Sequence, residues 1–312
     1  AMVGEVERIA SWFSPHRRPP TTRDVKFFEE EQEQLQPPRW QPEVEQRDAF
    51  DLADSLEKGL GREIVTEFVA PVASARVLER YHVVRSEDLL HHRLYSDRWD
   101  FLLYARASLE AGKVEFFPYD PEEGGHGREE GPFDPSRPAF TMVHSKDHQE
   151  WRLVQERCNR CHFSPKHKSC ACIGKQQVAF TRHFRKPLGL GKVNCMEVAV
   201  PALDREGEPV IWCPVLGRGD LASCPPGGSC EAQRLVSKCP AWNAEVESLV
   251  LEFAGRTVLA SSKNFQLALS DKPDDVVCQY GKIGPTTFSL DFKRPLSVVQ
   301  AFALSISTMF WS

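Results

Sequence analysis

No stretch of eighteen or more apolar residues occurs in this 312-residue chain, which speaks against a membrane-spanning helix. The N-terminus lacks the charged-then-apolar pattern of a secretory leader, so the expectation is a soluble, non-secreted protein. No internal repeat is visible, which sets aside repeat architectures. Catalytic patterns are equally scarce. No nucleophile stands beside a base, and no carboxylate pair marks a pocket. Gly189-Leu190-Gly191-Lys192 lacks the further glycine and the hydroxyl of a phosphate-binding loop. His91-His92, beside Glu87 and Asp88, reads as a solvated polar turn. The expectation is a protein that is not an enzyme.

What is present is an ordinary globular composition, 41% hydrophobic and 27% charged, with an uneven charge distribution. Residues 1–60 carry eight Lys/Arg against thirteen Asp/Glu, which accounts for the whole net charge of −5. Residues 151–192 hold ten cations against the single acid Glu156. Such a block attracts phospholipid headgroups, nucleic acid or an acidic partner; the alternative is a solvated loop whose charges face water.

Residues 1–42 combine the proline pairs Pro19-Pro20 and Pro37-Pro38 with an acidic run at Glu29, Glu30, Glu31 and Glu33, which suits an extended arm. Phe50, Ala53, Leu56 and Leu60 then recur at helical spacing, and an amphipathic helix is predicted over 43–58. From Ile64 onward, short β-branched and aromatic runs alternate with turn residues. They predict strands at Val65–Val69, Arg76–Val84, Trp99–Tyr104, Val114–Phe117, Ala139–Val143, Gln177–Thr181, Cys195–Val200, Val210–Cys213, Leu249–Phe253, Arg256–Ala260, Phe265–Leu269, Val276–Tyr280 and Thr287–Phe292. Asp120–Pro138 reads as an exposed loop. This is the pattern of an all-β antiparallel barrel or sandwich. After Pro295 the chain changes character: Leu296, Val298, Val299, Ala301, Phe302, Ala303, Leu304 and Ile306 are apolar around nearly every side of a helix. Such a helix must be buried on all sides, here by a sheet that closes around it.

The cysteines are crowded. Cys158, Cys161, Cys170 and Cys172 form a C-x2-C-x8-C-x-C pattern with His162 and His167 between them. Four thiolates on two tight turns are what a tetrahedral zinc requires, and either histidine could replace one of them. Structural zinc is expected, since it would fold a segment otherwise short of apolar residues; the alternative is four thiols in a loop. Cys158-Asn159-Arg160-Cys161-His162 also fits the haem-attachment pattern, which needs an export route this chain does not signal. Cys213, Cys224, Cys230 and Cys239 form a looser second set that reads as free thiols, with one more metal site or a redox pair as the alternatives.

Phe253-Ala254-Gly255-Arg256-Thr257-Val258-Leu259-Ala260-Ser261-Ser262-Lys263-Asn264-Phe265-Gln266 resembles the signature of the tubby family. So do Tyr280-Gly281-Lys282-Ile283-Gly284, Phe288-Ser289-Leu290-Asp291-Phe292, Arg294-Pro295-Leu296 and Gln300-Ala301-Phe302-Ala303 further on, and Pro240-Ala241-Trp242-Asn243 upstream. The resemblance implies a closed antiparallel barrel of about 12 strands around the C-terminal helix. It implies a non-enzymatic adaptor that binds phosphatidylinositol 4,5-bisphosphate or another phosphoinositide and links cargo to membranes, as in ciliary trafficking. Within the signature, Arg256 and Lys263 are expected to fix strand ends.

The family's lipid site follows a strand similar to Phe101-Leu102-Leu103-Tyr104-Ala105-Arg106, but Ala107 and Ser108 stand where the family carries further cations. That loss weakens headgroup binding. The basic block offers a substitute, so the expected lipid-binding residues are Arg106, Arg182, Arg185, Lys186 and Lys192. The alternative function is a zinc-stabilised protein-interaction scaffold with a degenerate lipid site. The expected organisation is an acidic arm and helix over 1–60 and a tubby-like domain over 61–312, with a Cys/His-rich basic insertion at about 151–190. A protein partner is expected on the arm or the insertion, and nucleic acid is not. The chain is expected to be a monomer, cytoplasmic and peripheral at the plasma membrane or cilium.

Overall fold

The computed structural model describes residues 68–118, 138–155, 176–188, 191–212, 218–224, 231–243 and 248–311. Their strands are β1 (Glu79–Arg85), β2 (His91–Ser96), β3 (Phe101–Ser108), β4 (Lys113–Phe117), β5 (Phe140–His144), β6 (Glu150–Gln155), β7 (Gln176–Leu188), β8 (Gly191–Pro201), β9 (Ala232–Ser237), β10 (Ala241–Asn243), β11 (Ser248–Val250), β12 (Phe265–Leu269), β13 (Lys272–Lys282) and β14 (Thr287–Phe292). Twelve of these close into a barrel in the order β1-β14-β13-β12-β9-β8-β7-β6-β5-β4-β3-β2. Every pairing is antiparallel, and β1 seals the wall against β14, with Glu79 opposite Phe292 and Val84 opposite Thr287. β10 and β11 form a two-stranded sheet of their own, in a separate unit spanning Pro240–Glu252.

Alternation along each strand decides what lines the barrel. Val83, Leu94, Leu103, Ala105, Phe116, Phe140, Leu153, Val198, Leu267 and Leu290 point into one continuous core. The helix α1 (Val298–Ser307) runs through that core and is buried from Val299 to Ser307. Its start is fixed by a capping box: Ser297 Oγ accepts from the Gln300 backbone N–H, and Gln300 Oε1 accepts from the Ser297 N–H at 2.9 Å. Gln300 Nε2 also donates to the Val178 carbonyl at 2.9 Å, tying the helix to β7. Phe302 meets Phe116 edge to face, ring centroids 5.8 Å apart. The buried hydroxyls of Ser305, Ser307 and Thr308 donate to carbonyls three residues back in the chain, so no water is needed to satisfy them.

The far end of α1 is held from the signature loop. Lys263 Nζ donates to the carbonyl of Met309 at 3.1 Å and to that of Trp311, a cation on the negative end of the helix. Trp311 Nε1 donates to His183 Nδ1 at 3.0 Å, which leaves the proton on Nε2 to bond Ser307 Oγ at 3.1 Å. Arg256 forks onto the buried Asp291 of β14, with Nη2 at 2.7 Å from Oδ1, and Gln279 Nε2 donates to the other oxygen at 2.9 Å. Gly281 is needed for close approach, because a Cβ there would fall 2.5 Å from Val258 Cγ1. Arg256 and Lys263 are therefore structural, as expected, but they act from a loop onto β14 and α1. Arg256–Ala260 is not a strand and carries only the bridge from Leu259 to Lys282.

The closed barrel and its threaded helix match the expected class. Several local readings are corrected. Phe68 and Val69 lie in a helical turn, and Trp212 makes only an isolated bridge with Gln177. His91-His92 is not a solvated turn but the start of β2, with His92 buried. Strands β6 and β7 occupy 150–155 and 176–188, inside the stretch read as an insertion. Arg152 and Arg182 face outward while Trp151, Leu153 and Val178 face the core, so charge density masked the alternation. Strand β9 was also missed. The arm and helix over 1–60 and the loop after Asp120 lie outside the described residues.

Phe302→Ala should destabilise the barrel by about 3–5 kcal/mol, as a buried aromatic truncation does, read from denaturant unfolding. Burial pushes both His92 and His183 down to about 4 from the ordinary 6.5, so both are neutral in the folded state. Their contribution is fully present above about pH 6.5 and is lost as pH falls toward about 4, because the unfolded chain binds protons first. Stability should fall between pH 7 and 5. His183→Gln, whose amide can replace both ring hydrogen bonds, should flatten that slope.

Candidate functional site

The longest strand pair in the barrel is β7 with β8, and it outruns its neighbours. β6 pairs only as far as Glu150 opposite Arg182, and β9 only as far as Val236 opposite Glu197. Beyond these points the two strands continue as a ribbon, from Phe184 opposite Cys195 to Leu188 opposite Gly191. Alternation divides its side chains. Phe184 and Lys186 continue the outer face of Arg182, while Arg185 and Lys192 continue the face of the inward His183. Arg185, Lys186 and Lys192 are all exposed, and Phe184 is one of few large apolar side chains that are. A ribbon with cations on both faces and an aromatic among them can enter an anionic interface edge-on.

The other two expected cations lie elsewhere and are already matched. Arg106 on β3 is separated from β7 by three strands, roughly 19 Å along the wall at about 4.8 Å per strand. It faces Glu115 across β3–β4, Nη2 to Oε2 3.0 Å, with Lys113 on the same carboxylate at 2.6 Å. Burial alone would push Glu115 up, but hydrogen bonds from Lys113 and Arg106 outweigh it and hold the carboxyl below its ordinary value. The Arg106 guanidinium also lies 5.5 Å from the Phe117 ring centroid. Arg182 bonds Glu150 at 3.1 Å and, with Arg152, brackets the ring of Phe180 at 5.6 and 5.1 Å. Arg152 in turn meets Asp220 at 3.0 Å. Phe180 belongs to a second, small apolar cluster with Ala199, Trp212, Leu221 and Cys224 on the outside of the wall. The partners Glu115 and Glu150 were not identified from sequence, because only strand register reveals which acid faces which base.

The expected zinc ligands Cys158, Cys161, Cys170 and Cys172, with His162 and His167, lie outside the described residues. Among the described residues no group of three or more His, Cys, Asp or Glu could hold a metal ion. Cys224, read as a free thiol with a redox pair as an alternative, is disulfide-bonded. Cys195, Cys239 and Cys278 are free. Burial, with the adjacent Cys239, pushes the Cys195 thiol up to about 11, which suppresses the reactive thiolate. No described helix is long and apolar enough to cross a membrane.

Comparison with known proteins agrees with the barrel and its signature. The Tub family model matches residues 136–310, more than half of the chain. Tubby protein homolog 1 of Caenorhabditis briggsae is 33% identical over 140 residues, covering 43% of this chain and 33% of that protein. Human Tubby-related protein 3 is 32% identical over 135 residues, 43% of this chain and 30% of the relative. Protein king tubby of Anopheles gambiae is 34% identical over 142 residues, 45% and 32% respectively. The matched stretch thus spans about a third of the length of these relatives. On the match to more than half its length, the chain belongs to the Tub family.

Proposed function

We propose that this chain is a non-enzymatic, tubby-type adaptor that binds phosphatidylinositol 4,5-bisphosphate or a related phosphoinositide through the tip of the β7–β8 ribbon. The observation that carries this reading is the ribbon itself: Arg185, Lys186 and Lys192 stand beyond the barrel wall with Phe184 exposed among them. Each cation near an anionic surface is worth about 1 kcal/mol, so the three supply on the order of a hundredfold in affinity. Phe184 adds apolar contact at the headgroup boundary. Arg106, committed to Glu115, contributes little. Cargo or a partner protein is held by the N-terminal arm or the Cys-rich segment, and the protein works in the cytoplasm, peripheral at the plasma membrane or cilium.

Vesicle sedimentation tests this. Wild-type protein should pellet with phosphatidylcholine vesicles containing the bisphosphate lipid and not with vesicles lacking it, and added salt should weaken the effect. Arg185→Glu with Lys186→Glu should abolish pelleting, whereas Arg106→Gln should leave it nearly unchanged. Equal pelleting of the double variant would move the site off the ribbon.

A second reading is favoured by the ion pairs at Arg106 and Arg182: a protein-interaction scaffold with a degenerate lipid site, stabilised by zinc on Cys158, Cys161, Cys170 and Cys172, or with His162 or His167 replacing one. Elemental analysis should then give about one zinc per chain, and chelation should lower the unfolding midpoint. Metal-free protein with an unchanged midpoint sinks the zinc proposal.

A further inference from the structure

Seven cations of the described barrel are met by carboxylates. Arg106 and Lys113 have Glu115, Arg152 has Asp220, Arg182 has Glu150, Arg218 has Glu231, Arg256 has Asp291, and Lys293 has Asp275. The barrel mouth at the C-terminal end of α1 is different. There Arg85 ends β1 and Lys282 ends β13, both half-buried. Lys282 is paired directly with Phe288 of β14, and Phe288 with Val83 of β1, so all three share the inner face. Arg85, two residues on from Val83, points the same way, and its guanidinium lies 4.9 Å from the Phe288 centroid. Phe288 stacks on Tyr280 at 4.8 Å and forms an aromatic floor beneath the two cations. Among the described residues neither Arg85 nor Lys282 makes a side-chain ion pair or hydrogen bond. Arg85 Nε is fully enclosed without a partner.

Lys263 is the third cation at this mouth. Its bonds to the Met309 and Trp311 carbonyls use the negative end of α1, which amounts to roughly half an elementary charge. That leaves a half-buried excess of about two and a half positive charges by the same accounting. Burial, and then the charge of Arg85, pushes both Lys263 and Lys282 below their ordinary values. A half-enclosed guanidinium and ammonium over an apolar floor, without counter-charge, have the donor set of an oxyanion site: Arg supplies a planar fork and Lys a point charge.

We propose that Arg85 and Lys282, backed by the field of Lys263, form a binding site for a small soluble oxyanion of the phosphate class at the C-terminal mouth of the barrel, distinct from the ribbon. Bound there, the anion accepts hydrogen bonds from Arg85 and Lys282 and raises the depressed lysine values, so its affinity falls as the lysines deprotonate at alkaline pH.

Calorimetric titration of the full chain with inorganic phosphate, against chloride at matched ionic strength, tests the site. Phosphate should bind and raise the unfolding midpoint. Arg85→Gln and Lys282→Gln should each weaken it on the order of tenfold, the loss of one charge-assisted hydrogen bond. Neither variant should unfold more easily in phosphate-free buffer, because each removes a repelled cation. Lys282→Arg should retain binding, and so should the double variant Arg185→Glu, Lys186→Glu, whose vesicle pelleting separately reads the ribbon. The proposal is overturned if wild type binds phosphate no better than chloride. It is equally overturned if both glutamine variants bind like wild type, or if Arg85→Gln loses vesicle pelleting while keeping phosphate.

Discussion

A helix that is apolar on every side has no stable position on a protein surface, and the described fold follows from that constraint. Val299 to Ser307 can be enclosed only by a wall that closes, and closure requires β1 to find β14 across almost the whole described chain. That pairing is non-local and costs loop-closure entropy, repaid by continuous burial of the helix against the inner faces of the strands. The two ends of the helix are then secured by polar groups. Ser297 and Gln300 hold the first, and Lys263 with the His183–Trp311 pair holds the second. Each group is buried or half-buried and each has a partner, so the core gains fixed register without orphaned donors.

With the interior committed to this task, charge is sorted by location. On the wall, outward side chains of adjacent strands stand close together, and register places Glu115 beside Arg106 and Glu150 beside Arg182. Ion pairs there are satisfied locally and offer little to a ligand. Beyond the wall, no described strand pairs with the outer part of the ribbon, and Arg185, Lys186 and Lys192 are exposed there. At the mouth, inward alternation brings Arg85 and Lys282 together over Phe288 with no acid in the row. The same rule of alternating side chains therefore produces neutral, exposed-cationic and enclosed-cationic regions, depending on what lies on the neighbouring strand.

The fold was legible in the sequence where residues are consistent with a single state. Phe265–Leu269 is apolar but for Gln266, Thr287–Phe292 alternates Phe288, Leu290 and Phe292 with other residues, and the helix after Pro295 announced its own burial. Illegible strands were those whose outward faces are strongly charged: Glu150–Gln155 carries Arg152 between Trp151 and Leu153, and His91–Ser96 opens on two histidines. In such strands the period-two signal is present but short, and the charge run outweighs it. The site was legible as a list of cations and not as an arrangement. Sequence places Arg182, Arg185, Lys186 and Lys192 within eleven residues, yet the ribbon divides them between two faces and Glu150 removes one. Arg85 was not singled out, and Lys282 only within a family-like segment, because they are nearly two hundred residues apart and meet only through Phe288.

The residues that carry the family likeness are the ones that hold the helix and seal the barrel. Gly281 makes room for Val258, Arg256 clamps Asp291, Lys263 caps α1, and Asn264 bridges the Leu259 carbonyl and the Lys282 amide at 2.8 and 2.9 Å. Each answers a packing or hydrogen-bonding demand that any chain closing this barrel must meet. None faces outward as a cation awaiting a ligand. Resemblance in this segment is therefore strong grounds for the fold and weak grounds for what the protein binds. The exposed cations of the ribbon and the enclosed pair at the mouth are where the described barrel makes no such demand, since neither set is needed to close the wall.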